Sequence, residues 1–390
     1  MRVSVIGAGI GGLTAAVALQ RDGHEVTVYE AAPEIAPVGA GIWLAPNGLA
    51  SLRWIDPSLA EEVIAAGRLM REFLAVNAAG RTLSRVVGDD FADRYRHPHT
   101  LAISRPRLHA VLHAALEPGT VVLGRRSTRV TEVDPVVRAH FDDGSHADAD
   151  LLIGADGIHS VVRTGLFGAM ALRYSGQTCW RGLTPTRLGG HWADRGTELW
   201  ADEPGLRAGF SQTADDEVYF YVTALAEPGR HDTPGRAKAE LLQRVSSFPA
   251  IVRQIVDATA PERLIRSDLF DLPPLKSYVR GRIALLGDAA HATTPNLGQG
   301  ANQAIEDAVV VADCLTGVDP DGAVDALHRY ERRRIRKATF VVNTSWRMNQ
   351  LVNMRWRWAR RARDVVMASV PAAVTDRQFR RIYDVDVLSH

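Results

Sequence analysis

Val3-Ser4-Val5-Ile6-Gly7-Ala8-Gly9-Ile10-Gly11-Gly12 begins the chain, and its reading decides the fold. Val3, Val5 and Ile6 make a short apolar strand that ends at Gly7. Leu13, Ala16 and Val17 then recur on one helical face, which packs that helix back on a sheet. Between them, Gly7-x-Gly9-x-x-Gly12 provides a tight turn, room for backbone to approach a pyrophosphate, and close helix–strand contact. The free N–H groups and positive dipole end of the helix favour phosphates. A second strand, Glu25-Val26-Thr27-Val28-Tyr29, ends at Glu30, 18 residues beyond Gly12. A carboxylate at that distance suits a ribose diol and repels a 2′-phosphate. Strand, loop, helix, strand and acid in register read as a Rossmann-like nucleotide domain. NAD and FAD both satisfy this segment.

A second unit of the same kind lies far downstream. Ile283 to Leu286 form an apolar strand, and Asp288 sits at its carboxyl end, where α/β sheets place ligands. Ala301, Ala304, Ile305, Ala308, Val309 and Ala312 mark one buried face of the next helix. Pro295-Asn296-Leu297-Gly298-Gln299-Gly300 lies directly before it. N–H groups at that helix start stabilise negative charge on a reduced flavin, a clamp that simple NAD dehydrogenases do not need. Two such units suggest one large cofactor gripped from both ends. Between them, an apolar strand from Leu151 runs into Ala155-Asp156-Gly157 and a helix-starting Ser160.

Composition sets the bounds. At 390 residues two domains are expected, and 46% hydrophobic with 23% charged content is ordinary for a globular enzyme. The net charge of +1 gives no signal for nucleic acid. Cys179 and Cys314 have no metal or disulfide spacing, so no metal is expected and a reducing cytoplasm fits. The first strand begins within three residues of Met1, so no secretory leader is expected. No apolar run approaches the ~18 residues needed to span a bilayer.

With these residues in view, the chain resembles the class A flavoprotein aromatic hydroxylases, the 4-hydroxybenzoate hydroxylase-like FAD monooxygenases. Three fingerprints stand in order: GAGIGG at 7–12, ADGIHSVVR at 155–163 and GDAAHATTPNLGQGANQAIEDA at 287–308. Pro33 to Asn47 also looks like the family's PVGAGI…PN loop. The resemblance implies an α/β fold with a Rossmann-like FAD-binding domain (GR2 type), an inserted β-sheet substrate domain and C-terminal helices. On that pattern residues 1–72, 99–170 and 276–345 form the FAD-binding domain. Residues 73–98 and 171–275 form the substrate domain, and 346–390 a helical segment.

The resemblance also implies site roles. Gly7, Gly9, Gly11 and Gly12 would surround the pyrophosphate, and Glu30 the adenosine ribose. Asp288 would meet the ribitol and pyrophosphate region, with Arg105 nearby; Pro106 departs from the family's usual acidic or polar neighbour. Gly298, Gln299 and Gly300 would face the isoalloxazine through backbone N–H, and Pro295 would lie where oxygen reacts. Gly41 and Trp43, in the loop 39–47, would lie along the flavin, and the Ser127 backbone beside the adenine. Asp156 would brace the FAD site and assist NAD(P)H contact. The implied reaction transfers oxygen from a flavin C4a-hydroperoxide to a small electron-rich aromatic, heterocyclic or olefinic substrate, with NAD(P)H as transient reductant. An FAD-dependent reductase without oxygen transfer and a non-catalytic FAD-binding regulator remain open alternatives.

Substrate choice falls to the middle of the chain. Leu206 to Gln212 and Glu217 to Ala224 read as a hairpin joined by Thr213-Ala214-Asp215-Asp216. Alternation groups Arg207, Gly209 and Ser211, and separately Tyr219, Tyr221 and Thr223. In 4-hydroxybenzoate hydroxylases the hairpin reads Ser-Gln-Arg and its arginine clamps a carboxylate; here Ser211-Gln212-Thr213 lacks that clamp. Arg207 and Tyr219 instead look like the pair that holds an anionic heterocycle in flavin urate hydroxylases. His291 reads as a structural loop residue rather than a base.

From Arg332 to Arg363 there are 11 Lys or Arg and no acid, with Trp346, Trp356 and Trp358 interleaved. This reads either as a membrane-surface or polyanion-binding helix, or as helices folded across both domains. The second reading expects aromatics inward and arginines solvated or near NAD(P)H phosphates. It is adopted here, with no membrane or nucleic-acid partner and a monomer or homodimer taking a small substrate and O2.

Overall fold

The computed structural model describes residues 1–35, 39–87, 99–230 and 233–388. Pro37 and Val38 of the loop beginning at Pro33 lie outside the described residues, as do 88–98 of the expected substrate domain.

Strands Ile283–Leu285, Leu151–Gly154, Arg2–Ile6 and Glu25–Tyr29 lie side by side in parallel, buried among Leu13, Leu19 and Ile305. Val279–Arg280 pairs antiparallel at one edge and Val121–Val122 parallel at the other. The first three strands are adjacent, so the turns after Ile6, Gly154 and Leu285 emerge together at one carboxyl edge. Three fingerprints far apart in sequence thereby become neighbours. Helix Ile10–Arg21 and helix Gly300–Leu315 pack with small residues at their contact. A Cβ on Gly11 would lie 2.9 Å from Leu286 and 3.0 Å from Ala304.

A seven-stranded sheet forms the second unit. Its order is Ile265–Asp271, Arg173–Thr184, Glu217–Leu225, Arg207–Ala214, Arg195–Trp200, Glu72–Asn77 and Thr82–Val87. Alternation sends Ala208, Phe210, Val218, Phe220 and Val222 into a core with Val252, Ile255 and Val256 of the helix Ala250–Ala258. Arg207, Ser211, Tyr219 and Tyr221 therefore point the other way. Trp180 joins the buried core, whereas the next residue, Arg181, faces a cleft. A small sheet of Gly41–Leu44, Thr100–Ser104 and Arg68–Met70 stands between the two large ones.

Helix Ala323–Val352 runs unbroken through positions 345 and 346. The expectation that the tail turns its tryptophans inward is corrected for Trp356 and Trp358, whereas Trp346 is half-buried beneath the Arg173 guanidinium. Trp356 and Trp358 are 69% and 71% exposed. Arg334, Arg360 and Arg363 are buried instead, because each finds acceptors inside. Among the described residues no helix is long and apolar enough to cross a membrane.

Candidate active site

The first glycine loop is set by steric limits. Gly7 has φ +104, and a Cβ there would sit 2.5 Å from the Ala155 carbonyl oxygen. A Cβ on Gly12 would lie 2.0 Å from the Gly7 oxygen. Gly9 differs: nothing lies within 4 Å of its Cβ position. It begins the helix with φ −71 and no side-chain cap, so the first-turn N–H groups face an open groove. Glu30 accepts from the Ala8 N–H at 2.8 Å and the Ala32 N–H at 2.9 Å, which fixes its carboxylate beside the loop. His109 donates from Nε2 to the Ala8 oxygen at 2.7 Å.

Asp156 and Ser127 stand differently from these residues. Asp156 accepts from Ser160 and from the N–H groups of Val161 and Val162, capping the helix Val161–Phe167. It acts on the groove through Ala155, which abuts Gly7. Ser127 begins an outer strand opposite Phe141, its buried hydroxyl without a partner among the described residues.

The second glycine loop is built on a buried polar network. Asp307 accepts from the Gly287 N–H at 2.8 Å, from His291 at 2.6 Å and from Arg334 at 2.7 Å. Burial alone would raise its carboxyl, but His291, Arg334 and these hydrogen bonds outweigh it and hold it at about 2. Arg334 also binds Glu306 and Gln303, and Glu306 accepts from Lys337 at 2.7 Å. Thus His291 belongs to the scaffold that positions the Gly287–Asp288 turn. Asp288 itself opens to the cleft, yet dense protein around it pushes its carboxyl up, opposed by His291 and Arg105. Arg105 lies across the groove, where a Cβ on Gly39 would meet its Cδ at 2.9 Å.

Gly298 is left-handed at φ +61 with open space beside it, and the helix from Gly300 has neither a side-chain cap nor an acid in its first turn. Asn302, which sequence reasoning did not single out, ties this loop to the Gly41 strand. Its Nδ2 donates to the Gly298 and Trp43 oxygens at 2.8 and 3.1 Å, and its Oδ1 accepts from Ala45 at 2.9 Å. The Gln299 side chain turns inward to Asn47 and Gln303. Two uncapped helix starts and open glycines stand at this edge of the sheet, with the Arg105 charge felt at Asp288. This fits a pyrophosphate at one end and a charge-accepting ring at the other.

The hairpin register places Arg207 opposite Thr223, Gly209 opposite Tyr221 and Ser211 opposite Tyr219, so the two polar faces coincide. Gly41 presses on Tyr219, whose ring would lie 2.3 Å from a Cβ there. Trp43 donates to Ser211 at 2.8 Å and meets Phe73, Tyr219 and Tyr221 edge-on. Burial raises both tyrosine hydroxyls, so they remain neutral donors. The Tyr219 hydroxyl has no hydrogen-bond partner among the described residues.

Glu198 is a second residue that the sequence pattern does not single out. It accepts from Tyr221 and Trp200 and lies 3.5 Å from Arg207, with all four side chains largely buried. Arg207 reaches in the other direction to Asn296 at 2.6 Å, one residue beyond Pro295, and its Nε is buried without a partner among the described residues. The guanidinium that resemblance assigns to an anion already has a carboxylate beside it. A cleft of about 260 Å³ opens nearby, lined by Asp288, Thr293 and Pro295 on one side and Arg181, Asp268 and Phe270 on the other.

The family described as "FAD binding domain" matches residues 1–345. Aurachin C monooxygenase/isomerase of Stigmatella aurantiaca is 35% identical over 98% of this chain and 97% of its own. An FAD-dependent urate hydroxylase of Klebsiella pneumoniae is 33% identical over 86% of each. The solved Klebsiella pneumoniae HpxO, in complex with FAD and uric acid, superposes with a TM-score of 0.89 at 28% identity, covering 98% of this chain and 96% of that one.

Proposed function

The chain belongs to the FAD-binding-domain family, and on that premise we propose that it oxygenates a small, electrically neutral aromatic or heteroaromatic ring held at Arg207. It is an FAD-dependent monooxygenase, and its relatives along most of its length include two monooxygenases and an FAD-dependent hydroxylase. FAD, when bound and reduced by NAD(P)H, supplies the activation of O2; the chain supplies position, charge and dryness.

Gly9, Gly12 and the first helix start hold the pyrophosphate, with Arg105 and Asp288 across the groove and Glu30 on the ribose. Gly298, Gly300 and the second helix start face the ring and favour its reduced, negative form. Gly41, Trp43 and Tyr219 wall the ring off from water. Asp156 and Gln299 position their loops, and Ser127 borders the adenine end. Pro295 closes the reacting face, and Asn296 links it to Arg207. The two sheets mark the FAD and substrate domains. All these groups come from one chain, so a monomer suffices, as either copy of a homodimer would. Two unpaired buried cysteines support a cytoplasmic location.

The Glu198–Arg207 pair carries the substrate reading. A buried cation already matched by an anion gains little from a second anion and repels it through Glu198. The remaining guanidinium hydrogens and the Tyr219 hydroxyl can donate to a ring carbonyl or hydroxyl oxygen. Quinolones and neutral hydroxypyridines meet this description; benzoates do not. NAD(P)H oxidation with product mass spectrometry should show coupled oxygenation of the neutral rings and none of benzoates. Glu198→Gln, nearly isosteric, should shift the preference toward urate and other anions by about tenfold or more, the equivalent of roughly 1.4 kcal/mol. Wild-type preference for carboxylates, or an unmoved preference in the variant, would refute the neutral-substrate assignment.

A further inference from the structure

Helix Arg357–Ala368 is inside out. Its inner face carries Arg360 and Arg363, both buried. Arg360 donates to the Met354, Arg355 and Asp202 carbonyls, and Arg363 to the Leu351 carbonyl. The Arg363 guanidinium also lies 4.7 Å over the ring of Trp200, which anchors the helix on the substrate sheet. The outer face carries the apolar residues instead: Trp358 is 71% exposed, Val365 49% and Val366 64%. Trp356, just before the helix, stacks on Trp358 with centroids 6.3 Å apart and planes at 15°. The exposed apolar track continues through Val370 and Val374.

Cations rim this face. Arg355, Arg357 and Arg361 are exposed, and Arg357 pairs with Asp202. Arg355 and Arg361 have no carboxylate within ion-pairing distance among the described residues. The single acid between 353 and 371, Asp364, is half-buried and engaged by Asn77 and Arg363. Contiguous exposed apolar surface with such a rim marks an interaction site. A two-fold contact with a second copy would bring the same cationic rim against itself, and the exposed acid beside it, Asp202, is already paired with Arg357 and Arg360. An anionic bilayer offers negative headgroups to the arginines, and the boundary depth where tryptophan rings reside.

We propose that this C-terminal face docks the enzyme on an anionic lipid surface, lying in the interface rather than crossing it. The tryptophans and valines enter the headgroup–acyl boundary while Arg355 and Arg361 meet lipid phosphates. Arg363 and Trp200 keep the docked helix attached to the substrate sheet.

The test uses FAD-loaded, full-length enzyme with phosphatidylglycerol/phosphatidylcholine vesicles and with pure phosphatidylcholine vesicles. Co-sedimentation should require phosphatidylglycerol and weaken as salt rises. Bromine-labelled acyl chains should quench tryptophan emission. A Trp356→Ser/Trp358→Ser variant should lose vesicle binding at least tenfold and the quenching with it. Its flavin content and its turnover of a water-soluble substrate should stay at wild-type levels. No binding to phosphatidylglycerol vesicles would overturn the proposal. So would binding that survives the double substitution, or a solution dimer that the same substitution dissociates, since a second copy would then cover the face.

Discussion

Gly9→Ala and Gly12→Ala are expected to abolish FAD retention by different routes, and the contrast is diagnostic. At Gly12 a Cβ lies 2.0 Å from the Gly7 oxygen and 3.3 Å from the Ala155 Cβ. No flexible side chain can yield there, and Gly7 is itself held by its N–H to the Tyr29 oxygen at 2.8 Å. The loop must move away from the adjoining strand, so Gly12→Ala should lower apo-protein stability as well as flavin content. At Gly9 the backbone φ of −71 accepts alanine, and the Cβ meets nothing. The added methyl enters only the open space proposed for the pyrophosphate. Gly9→Ala should therefore melt like the wild-type apo-protein yet bind FAD at least about a hundredfold more weakly, roughly 2.7 kcal/mol. Thermal scans of apo-protein and flavin titrations read the two effects separately. Wild-type FAD affinity in Gly9→Ala would move the pyrophosphate elsewhere.

Arg334→Met is expected to produce the largest loss of stability. The methionine follows much of the arginine stem but removes the buried cation between Asp307 and Glu306, leaving Asp307 with His291 and the Gly287 N–H, and Glu306 with Lys337, Asn47 and Gln303. Removing one partner from a buried charge network costs about 3–5 kcal/mol. That corresponds to a fall in melting temperature of roughly 4–6 °C for a chain of this length. Asp307 also receives the Gly287 N–H, so the Asp288 turn should loosen and flavin content should drop in parallel. A variant that melts and holds flavin like the wild type would show that the network does not support the turn.

The sequence discloses the features whose causes are local. Glycines that must accept a positive φ or a close backbone approach appear as a fixed pattern, and strand–loop–helix order implies parallel strands with their turns on one edge. Hairpin alternation grouped Arg207 with Ser211 and Tyr219 with Tyr221, and the register joined the two sets. Features that depend on partners across sheets stayed hidden. Glu198 sits in an alternating strand where an acid suggests solvent; Trp200, Tyr221 and Arg207 enclose it only once three strands assemble. Arg334 looked like one cation in a basic run, and its partners lie about 30 residues earlier on the preceding helix. Trp356 and Trp358 were expected inside because aromatic burial is usually favourable. The arginines displaced them, since main-chain carbonyls at Leu351, Met354, Arg355 and Asp202 needed donors.

The most direct test of the account follows oxygen itself. FAD-loaded enzyme is supplied with NAD(P)H, isotope-labelled dioxygen and a neutral hydroxypyridine or quinolone, and product mass is read against NAD(P)H consumed. One labelled oxygen atom in the product for each NAD(P)H oxidised is the predicted result. Oxidation that yields only peroxide with every neutral ring, or a product that gains hydrogen without label, would contradict it.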